Sequence, residues 1–157
     1  MPDAHQRSQP PHDLSEAFDP PRDDRPYEPP YFRFSATLRI FGTVLDLEAI
    51  GQRLGLAPTR AHRGGIPPLK DGDEPLDMWS YDTPVGEAEP LAAHISRLWA
   101  DIRDAAPFLR ELKESASVDV FLCYRSNCDR TGFSVPAVSL AMFVELDIPF
   151  AVSVIIT

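Results

Sequence analysis

Residues 55–68, "GLAPTRAHRGGIPP", contain the densest group of side chains that could bind an anion. Arg60, His62 and Arg63 lie within four positions, among glycines and prolines. A phosphate-binding loop needs its glycines between a strand and the start of a helix, where backbone N–H groups meet the anion. Here the glycines follow a predicted helix, which favours a helix stop and a turn-rich connection. We therefore expect no nucleotide-binding loop.

Two cysteines and four histidines are the other residues that could do chemistry. Cys123 and Cys128 are expected to be a partly covered strand cysteine and a turn cysteine, with a redox pair as the alternative. A zinc site needs about four ligands, and no histidine lies near them in sequence. The acidic run from Asp71 to Asp77 lacks the ligand spacing of a calcium loop. A Ser-His-Asp set stays open because triads are assembled in space, yet no G-x-S-x-G pattern supports one. We expect no metal and no cofactor, and the sequence favours a protein that is not an enzyme. His94, beside an apolar stripe, is expected at the boundary of the core.

The stretch "YFRFSATLRI" at residues 31–40 alternates apolar and polar side chains, which predicts a strand with one buried and one exposed face. "VDVFLCYRS" predicts a second strand of the same kind. Arginine and aromatic residues on such exposed faces are the types enriched at interface anchors. The predicted partner-binding residues are Tyr31, Arg33, Arg39, Phe121 and Arg125. The predicted alternative ligand pocket, between the 56–77 loop, Trp79 and the sheet, contains Arg60, His62, Arg63, Trp79 and Asp82.

The elements that must position these residues alternate along the chain. Asp46 as N-cap and Gly55 as C-terminal stop predict a short first helix. An apolar stripe from Leu91 to Leu112 predicts a long helix, with a kink or restart near Ala106 because Pro107 lies inside it. "DMWSYDT" predicts a short strand, "PAVSLAMFVEL" a third helix and "IPFAVSVII" a last strand. The inward face of that last strand is expected to carry Phe150, Val152, Val154 and Ile156.

The predicted order is β-α-β-α-β-α-β. We expect an α+β fold, with a mostly antiparallel four-stranded sheet and helices packed on one face. A parallel sheet covered on both faces is disfavoured because the alternation in the strands is too regular for it. The segment 56–77 is expected to be irregular.

Composition separates an N-terminal arm from one folded domain. Residues 1–30 hold eight of the 17 prolines and carry seven acidic against three basic side chains, so we expect a disordered arm there and a single domain over 31–157. The net charge of −9 disfavours nucleic acid and anionic membranes and permits a basic protein partner. Neither a secretory signal nor a membrane span is recognisable, which predicts a cytoplasmic location.

Several short motifs resemble a known family. "GLAPT", the downstream Gly64, Trp79 in "MWS" and "LAAHISRLW" resemble the bacterial domain-of-unknown-function family 4279. The resemblance covers about residues 31–157, and it implies an α+β fold without implying an activity or catalytic residues. We expect a non-catalytic, protein-binding module, with an immunity-like role as one form. The alternative is an enzyme or small-ligand binder that uses the pocket beside Trp79.

Overall fold

The computed structural model describes residues 28–66, 75–128 and 132–157, apart from the side chain of Ile66. The strands are β1 (Phe32–Gly42), β2 (Arg60–Ile66), β3 (Leu76–Asp82), β4 (Ser117–Ser126) and β5 (Phe150–Ile156). The helices are α1 (Leu47–Leu54), α2 (Leu91–Ile102), α3 (Ala106–Leu112) and α4 (Ala141–Leu146). Two 3₁₀ turns, Arg103–Ala105 and Ala137–Leu140, precede α3 and α4.

The strands form one mixed sheet in the order β2-β3-β1-β4-β5. The first four strands pair antiparallel, whereas β5 pairs parallel with β4. A parallel pair needs a crossover connection, and the segment with α4 supplies it between β4 and β5. The α+β class is therefore confirmed, and three of the four strand pairs are antiparallel. The sheet is nevertheless mixed and has five strands, whereas four were predicted.

The helices cover one face of the sheet, as expected. In β1, Ala36, Leu38 and Ile40 are fully buried, and the odd-numbered residues point to the opposite side, which we call the open face. The register with β4 places Leu38 beside Val120. The core also contains residues of all four helices: Ile50, Leu54, Ile95, Leu98, Ile102, Leu109, Met142 and Leu146.

The helix boundaries follow the predicted signals. The Asp46 side chain accepts a hydrogen bond from the backbone N–H of Ala49, and Gly55 ends α1 in the left-handed conformation, with φ of 68°. Pro107 lies in the first turn of α3, directly after the 3₁₀ turn, so the predicted long helix does restart at Ala106. None of the helices within the described residues is long and apolar enough to cross a membrane.

Two local predictions need correction. The stretch expected to be irregular contains β2, which pairs with β3 and shifts register between His62 and Ile66. The even-numbered residues of β5 do lie on the helix side of the sheet, in register with the buried residues of β4. They are nevertheless about half exposed, because β5 is an edge strand and the aromatic contact of Phe150 with Phe143 of α4 covers only its beginning.

The predicted disordered arm lies outside the described residues up to position 27. The chain enters the described part beside the end of the sheet. The backbone N–H of Tyr31 donates to Asn127 Oδ1, and Asn127 Nδ2 donates to the carbonyl of Pro29. The Tyr31 hydroxyl hydrogen-bonds with Thr157 Oγ1. Residues 29–31 are thus held by the side chains of Asn127 and Thr157, which are distant in sequence.

Candidate functional site

The open face contains a cavity of about 530 Å³. It lies over β1 and β4, with contributions from β2, β3, β5 and the loop that leads to α2. Three guanidinium groups and two carboxylates line it, so its local charge is positive although the whole chain carries −9. The lining residues are Arg33, Phe34, Ser35, Thr37, Arg60, Asp82, Thr83, Val85, Glu87, His94, Phe121, Cys123, Arg125 and Ile155.

Two arginines face each other at one end of this cavity. Arg33 of β1 and Arg125 of β4 are direct neighbours in the antiparallel register, so both side chains point to the open face. Like charges directly opposite on a sheet are destabilising. Arg33 is neutralised by Glu87, whose Oε2 lies 3.2 Å from its Nη1. Arg125 is exposed and has no carboxylate within 4 Å among the described residues.

A third guanidinium group on the open face, that of Arg39, is used within the fold. Arg39 makes a two-pronged ion pair with Asp119, with Nε–Oδ1 and Nη2–Oδ2 distances of 2.8 and 2.7 Å. It also stacks over the rings of Phe121 and Phe41, at 4.5 and 5.4 Å from their centroids. Bidentate pairing and ring stacking are the interactions for which arginine is best suited. Arg39 therefore supports the position of the Phe121 ring and leaves few donors for a partner.

The opposite end of the cavity is formed by Arg60 and Asp82. Thr37 Oγ1 donates to Asp82 Oδ1 at 2.6 Å, and Arg60 Nη2 lies 3.8 Å from Asp82 Oδ2. The Arg60 side chain is 64 % exposed, so this ion pair contributes little to stability and its guanidinium group is accessible to a ligand. The cavity thus has one unpaired and two loosely paired arginines around half-buried Phe121.

The loop after β3 forms a wall of the cavity by completing the hydrogen bonding of β1. β3 ends at Asp82, opposite Thr37, so the preceding part of β1 lacks a strand on that side. The loop substitutes for it: Thr83 N donates to the Ala36 carbonyl, and Phe34 N donates to the Glu87 carbonyl at 2.7 Å. These bonds fix Glu87 next to Arg33.

His94 on α2 closes the cavity from beneath this loop. Its side chain is 1 % exposed, and Nδ1 lies 3.1 Å from Thr83 Oγ1. Burial lowers the pKa of His94 below its ordinary value, and the carbonyl groups of Gly86 and Glu89 oppose that change in part. His94 is thus a core residue, and its predicted position at the core boundary was wrong.

The predicted site residues are distributed over both faces of the sheet. Of the predicted partner-binding residues, Arg33, Phe121 and Arg125 line the cavity. Of the predicted alternative pocket, Arg60 and Asp82 line it. His62 is exposed on β2 and does not line it. Trp79 is fully buried on the helix side, where it pairs in register with Ile40. The structure therefore does not bring Trp79 together with the residues of the open face.

Arg63 also belongs to the helix side, through Asp77. The carboxylate of Asp77 is buried and accepts hydrogen bonds from the backbone N–H groups of Leu45 and Gly64, at 3.0 and 2.8 Å. Arg63 Nη1 lies 3.5 Å from the same carboxylate and donates to the Leu45 carbonyl. These backbone bonds, with the charge of Arg63, hold the pKa of Asp77 below its ordinary value, and burial opposes them. The group joins β2, β3 and the start of α1.

Sequence reasoning missed the contribution of the loop after β3. Thr83 is the last residue of the predicted strand "DMWSYDT", and Val85 and Glu87 carry no motif. One signal existed: the predicted first strand is longer than the predicted strand "DMWSYDT", so backbone groups of β1 had to find another partner.

The thiols and acidic groups form no metal site within the described residues. Cys123 and Cys128 are free and half-buried. No cluster of three or more His, Cys, Asp or Glu side chains in that part of the chain has the geometry to hold a metal ion. Most of the acidic run from Asp71 to Asp77 lies outside the described residues.

A scan against protein-family models matches residues 31–156 with the family described as Domain of unknown function (DUF4279). The chain belongs to this family. The match confirms the resemblance read from the sequence motifs and leaves out the N-terminal arm. Comparisons with curated proteins and with solved structures gave no match. A function for this DUF4279 protein must therefore be argued from its own geometry.

Proposed function

We propose that this DUF4279 protein is a non-catalytic binding module whose open-face cavity receives an acidic group of a protein partner. The observation that carries the proposal is the Arg33–Arg125 pair. Two like charges face each other, and only Arg33 has a carboxylate nearby within the described residues. An incoming carboxylate would relieve the repulsion and form charge-assisted hydrogen bonds with Arg125.

The surroundings of Arg125 support a protein interface. Phe121, stacked against Arg39, offers an apolar surface held in place by an ion pair. Arginine and aromatic residues in a concave, partly desolvated site are typical interface anchors. Tyr31, at the same end of β1, stacks with Arg33 at 5.3 Å and adds a second aromatic edge. Arg39 contributes by fixing Phe121.

The proposal places two requirements on the charge of the partner, one on its net charge and one on the group that enters the cavity. The chain's −9 supports the earlier expectation of a basic protein, because long-range attraction accelerates association with a positively charged partner. The local contact at the cavity requires an acidic side chain or a chain terminus. A basic partner that presents one carboxylate to Arg125 satisfies both conditions.

An immunity-like role in a bacterial cytoplasm is one form of this function. A small acidic domain with one open face is suited to covering the active site of a basic toxin. In the host genome, a gene for a secreted basic toxin beside this gene would support that role, and its product would be the first partner to test.

The test combines capture from the native host with a charge reversal. A tagged wild-type chain is used to isolate partners, and the purified pair is then measured by calorimetry. Arg125→Glu should weaken binding at least about tenfold, because it turns attraction for a carboxylate into repulsion. Circular dichroism should show an unchanged fold, since Arg125 is exposed.

The matched control is Arg103→Glu. Arg103 lies in the 3₁₀ turn between α2 and α3, with a side chain 64 % exposed. The same charge reversal there should leave the affinity within about twofold. If Arg125→Glu binds the partner as tightly as the wild type does, the open face is not the binding surface.

A small anionic ligand is the second candidate, favoured by the cavity volume. About 530 Å³ is within the range of ligand sites, and Arg60 and Asp82 supply polar groups opposite Arg125. Thermal-shift screening of small carboxylates and phosphates tests this candidate. A ligand that raises the melting temperature of the wild type, but not of Arg125→Glu, would favour a ligand binder or an enzyme. If no compound in the screen shifts the melting temperature, the protein-binding proposal is retained.

A further inference from the structure

The outer edge of β5 presents backbone groups without a strand partner among the described residues. Thr157 N donates to the Ser126 carbonyl, and Val120 N donates to the Pro149 carbonyl, so the odd-numbered positions of this segment point toward β4. Because backbone groups alternate in direction along a strand, the N–H and C=O groups of the even-numbered positions point outward. Those positions are Phe150, Val152, Val154 and Ile156, which we call the β5 edge.

The same four residues carry exposed apolar side chains. Their relative exposures are 46, 45, 58 and 48 % in chain order, on the helix side of the sheet. No residue of β5 belongs to the buried core of the described chain. The ring of Phe150 lies against Phe143 of α4, at 4.7 Å between centroids, and the strand continues beyond that contact.

Within the described residues, the β5 edge lacks the features that protect edge strands. Natural edges are blocked by charged residues, proline within the strand, bulges or an unusually short strand. β5 has seven residues, FAVSVII, without a charge or a proline, and it pairs with β4 in continuous register. Such an edge is suited to pairing with another strand.

The sequence of β5 is complementary to its own antiparallel copy. With a two-fold axis at Ser153, Val152 lies opposite Val154 of the second copy, and Phe150 lies opposite Ile156. Each residue whose backbone groups point outward then lies opposite such a residue of the second copy. The N–H and C=O groups of both residues can therefore exchange hydrogen bonds. Pairs of β-branched residues, and of an aromatic with a β-branched residue, are favourable across strands.

We propose that two copies of this chain associate through the β5 edge, in an antiparallel pairing about Ser153 that creates a continuous ten-stranded sheet. The interface is isologous and leaves no edge at β5 open. Ile155, which lines the open-face cavity, would lie opposite Ala151 of the second copy. The two cavities would therefore be on the same side of the joined sheet.

A second copy fits the β5 edge better than the other available occupants. The segment before residue 28 is rich in proline, which lacks the N–H group needed for a sheet ladder. Complementary charges commonly give an interface its specificity for one unrelated partner. Residues 148–157 contain no ionisable side chain, so β5 has no charges with which to select an unrelated strand. The symmetric centre Val152-Ser153-Val154 places like residues opposite one another when it pairs with an antiparallel copy of itself.

The first experiment measures molar mass by light scattering on the full chain. The wild type should give about twice the 17.5 kDa of one chain. Val154→Lys places a charge in the pairing and should give the monomer mass. Val144→Lys is the matched control, because Val144 is 81 % exposed on α4, outside β5, and it should leave the dimer intact.

The second experiment tests the register by cross-linking. Ser153 would face its own copy in a non-hydrogen-bonded pair, with Cα atoms about 4.5 Å apart, within the range that a disulfide spans. Ser153→Cys, in a background with Cys123→Ser and Cys128→Ser, should give a covalent dimer on mild oxidation. Ala151→Cys in the same background should not, because Ala151 lies opposite Ile155.

Three results would overturn the proposal. One is a monomeric wild type at every concentration at which the protein stays soluble. Another is a dimer that survives Val154→Lys. The third is a wild-type monomer that dimerises only after deletion of residues 1–27, since the arm would then be the natural occupant of the β5 edge. None of these results affects the binding test at Arg125.

Discussion

At the scale of single residues, His94 is a buried base whose protonation opposes folding. It lies beneath the loop after β3, bonded to Thr83, and burial lowers its pKa. The unfolded chain titrates this histidine near pH 6.5, whereas the folded chain does so at a lower pH. Between the two pKa values the unfolded state binds more protons, so stability rises with pH in that window.

We therefore expect the melting temperature of the wild type to fall as the pH decreases below about 6.5. The contribution of His94 is fully present above that pH and is lost as the pH approaches the lower, folded-state pKa. His94→Asn removes the titrating group and should reduce this decrease. The measurement is the melting temperature across the pH range, with His62→Asn on exposed β2 as the control. Equal slopes for the wild type and His94→Asn would contradict this role.

Also at this scale, Asp77 shows how a residue in an acidic stretch can be structural. The acidic run from Asp71 to Asp77 falls in the segment that was expected to be irregular. Asp77 instead accepts hydrogen bonds from the backbone N–H groups of Leu45 and Gly64, which are distant in sequence. An acceptor that satisfies buried donors cannot be removed without leaving them unpaired. The difference between Asp77 and its acidic neighbours in sequence depends on tertiary position, which the local pattern does not contain.

At the scale of elements, the two faces of β1 differ sharply in burial. Leu38→Ala should lower the free energy of unfolding by about 2–5 kcal/mol, because Leu38 is fully buried between the sheet and the helices. Arg33→Ala, on the open face, should stay within about 0.5 kcal/mol, since its ion pair with Glu87 is exposed. Chemical denaturation of both variants is the measurement. Similar losses for the two would mean that the open face is also covered.

The elements with regular patterns could be predicted from the sequence. In β1, apolar and polar side chains alternate from Phe32 to Ile40, and in β4 one face carries Val118, Val120, Leu122 and Tyr124. α1 has both caps, and Pro107 marks the restart of the long helix. β2 was missed because "RAHRGGI" has two adjacent glycines and an irregular register, so no alternation identifies it. The parallel direction of β5 could not be predicted, because side-chain alternation is the same in parallel and antiparallel strands.

The candidate site was predicted in part for the same reason. Parity along β1 and β4 assigned Arg33, Phe121 and Arg125 to the open face correctly. The contribution of Arg60 depended on the pairing of β2, and that of Glu87 on a loop without a motif. The burial of Trp79 depends on which face of β3 the helices cover, and the short strand "DMWSYDT" does not indicate this.

At the scale of the whole molecule, residues 1–27 should be dispensable for folding. Their composition is acidic and proline-rich, with few bulky apolar side chains to bury. Deleting them, while keeping Glu28 and the contacts of Pro29 and Tyr31 with Asn127, should leave the melting temperature nearly unchanged. For a domain of this size, about 1 kcal/mol shifts it by a few degrees. A loss of several degrees would mean that the arm packs on the domain.

The central position of β1 has a consequence for synthesis on the ribosome. β1 is the first element of the sheet, but both of its neighbours, β3 and β4, come much later in sequence. At the usual rate of elongation its pairing with β4 must wait on the order of ten seconds after β1 has been made. During that time an alternating apolar strand emerges with both edges unpaired, and contacts so distant in sequence also form slowly. We therefore expect the nascent chain to be bound by chaperones that shield apolar segments until β4 has left the exit tunnel.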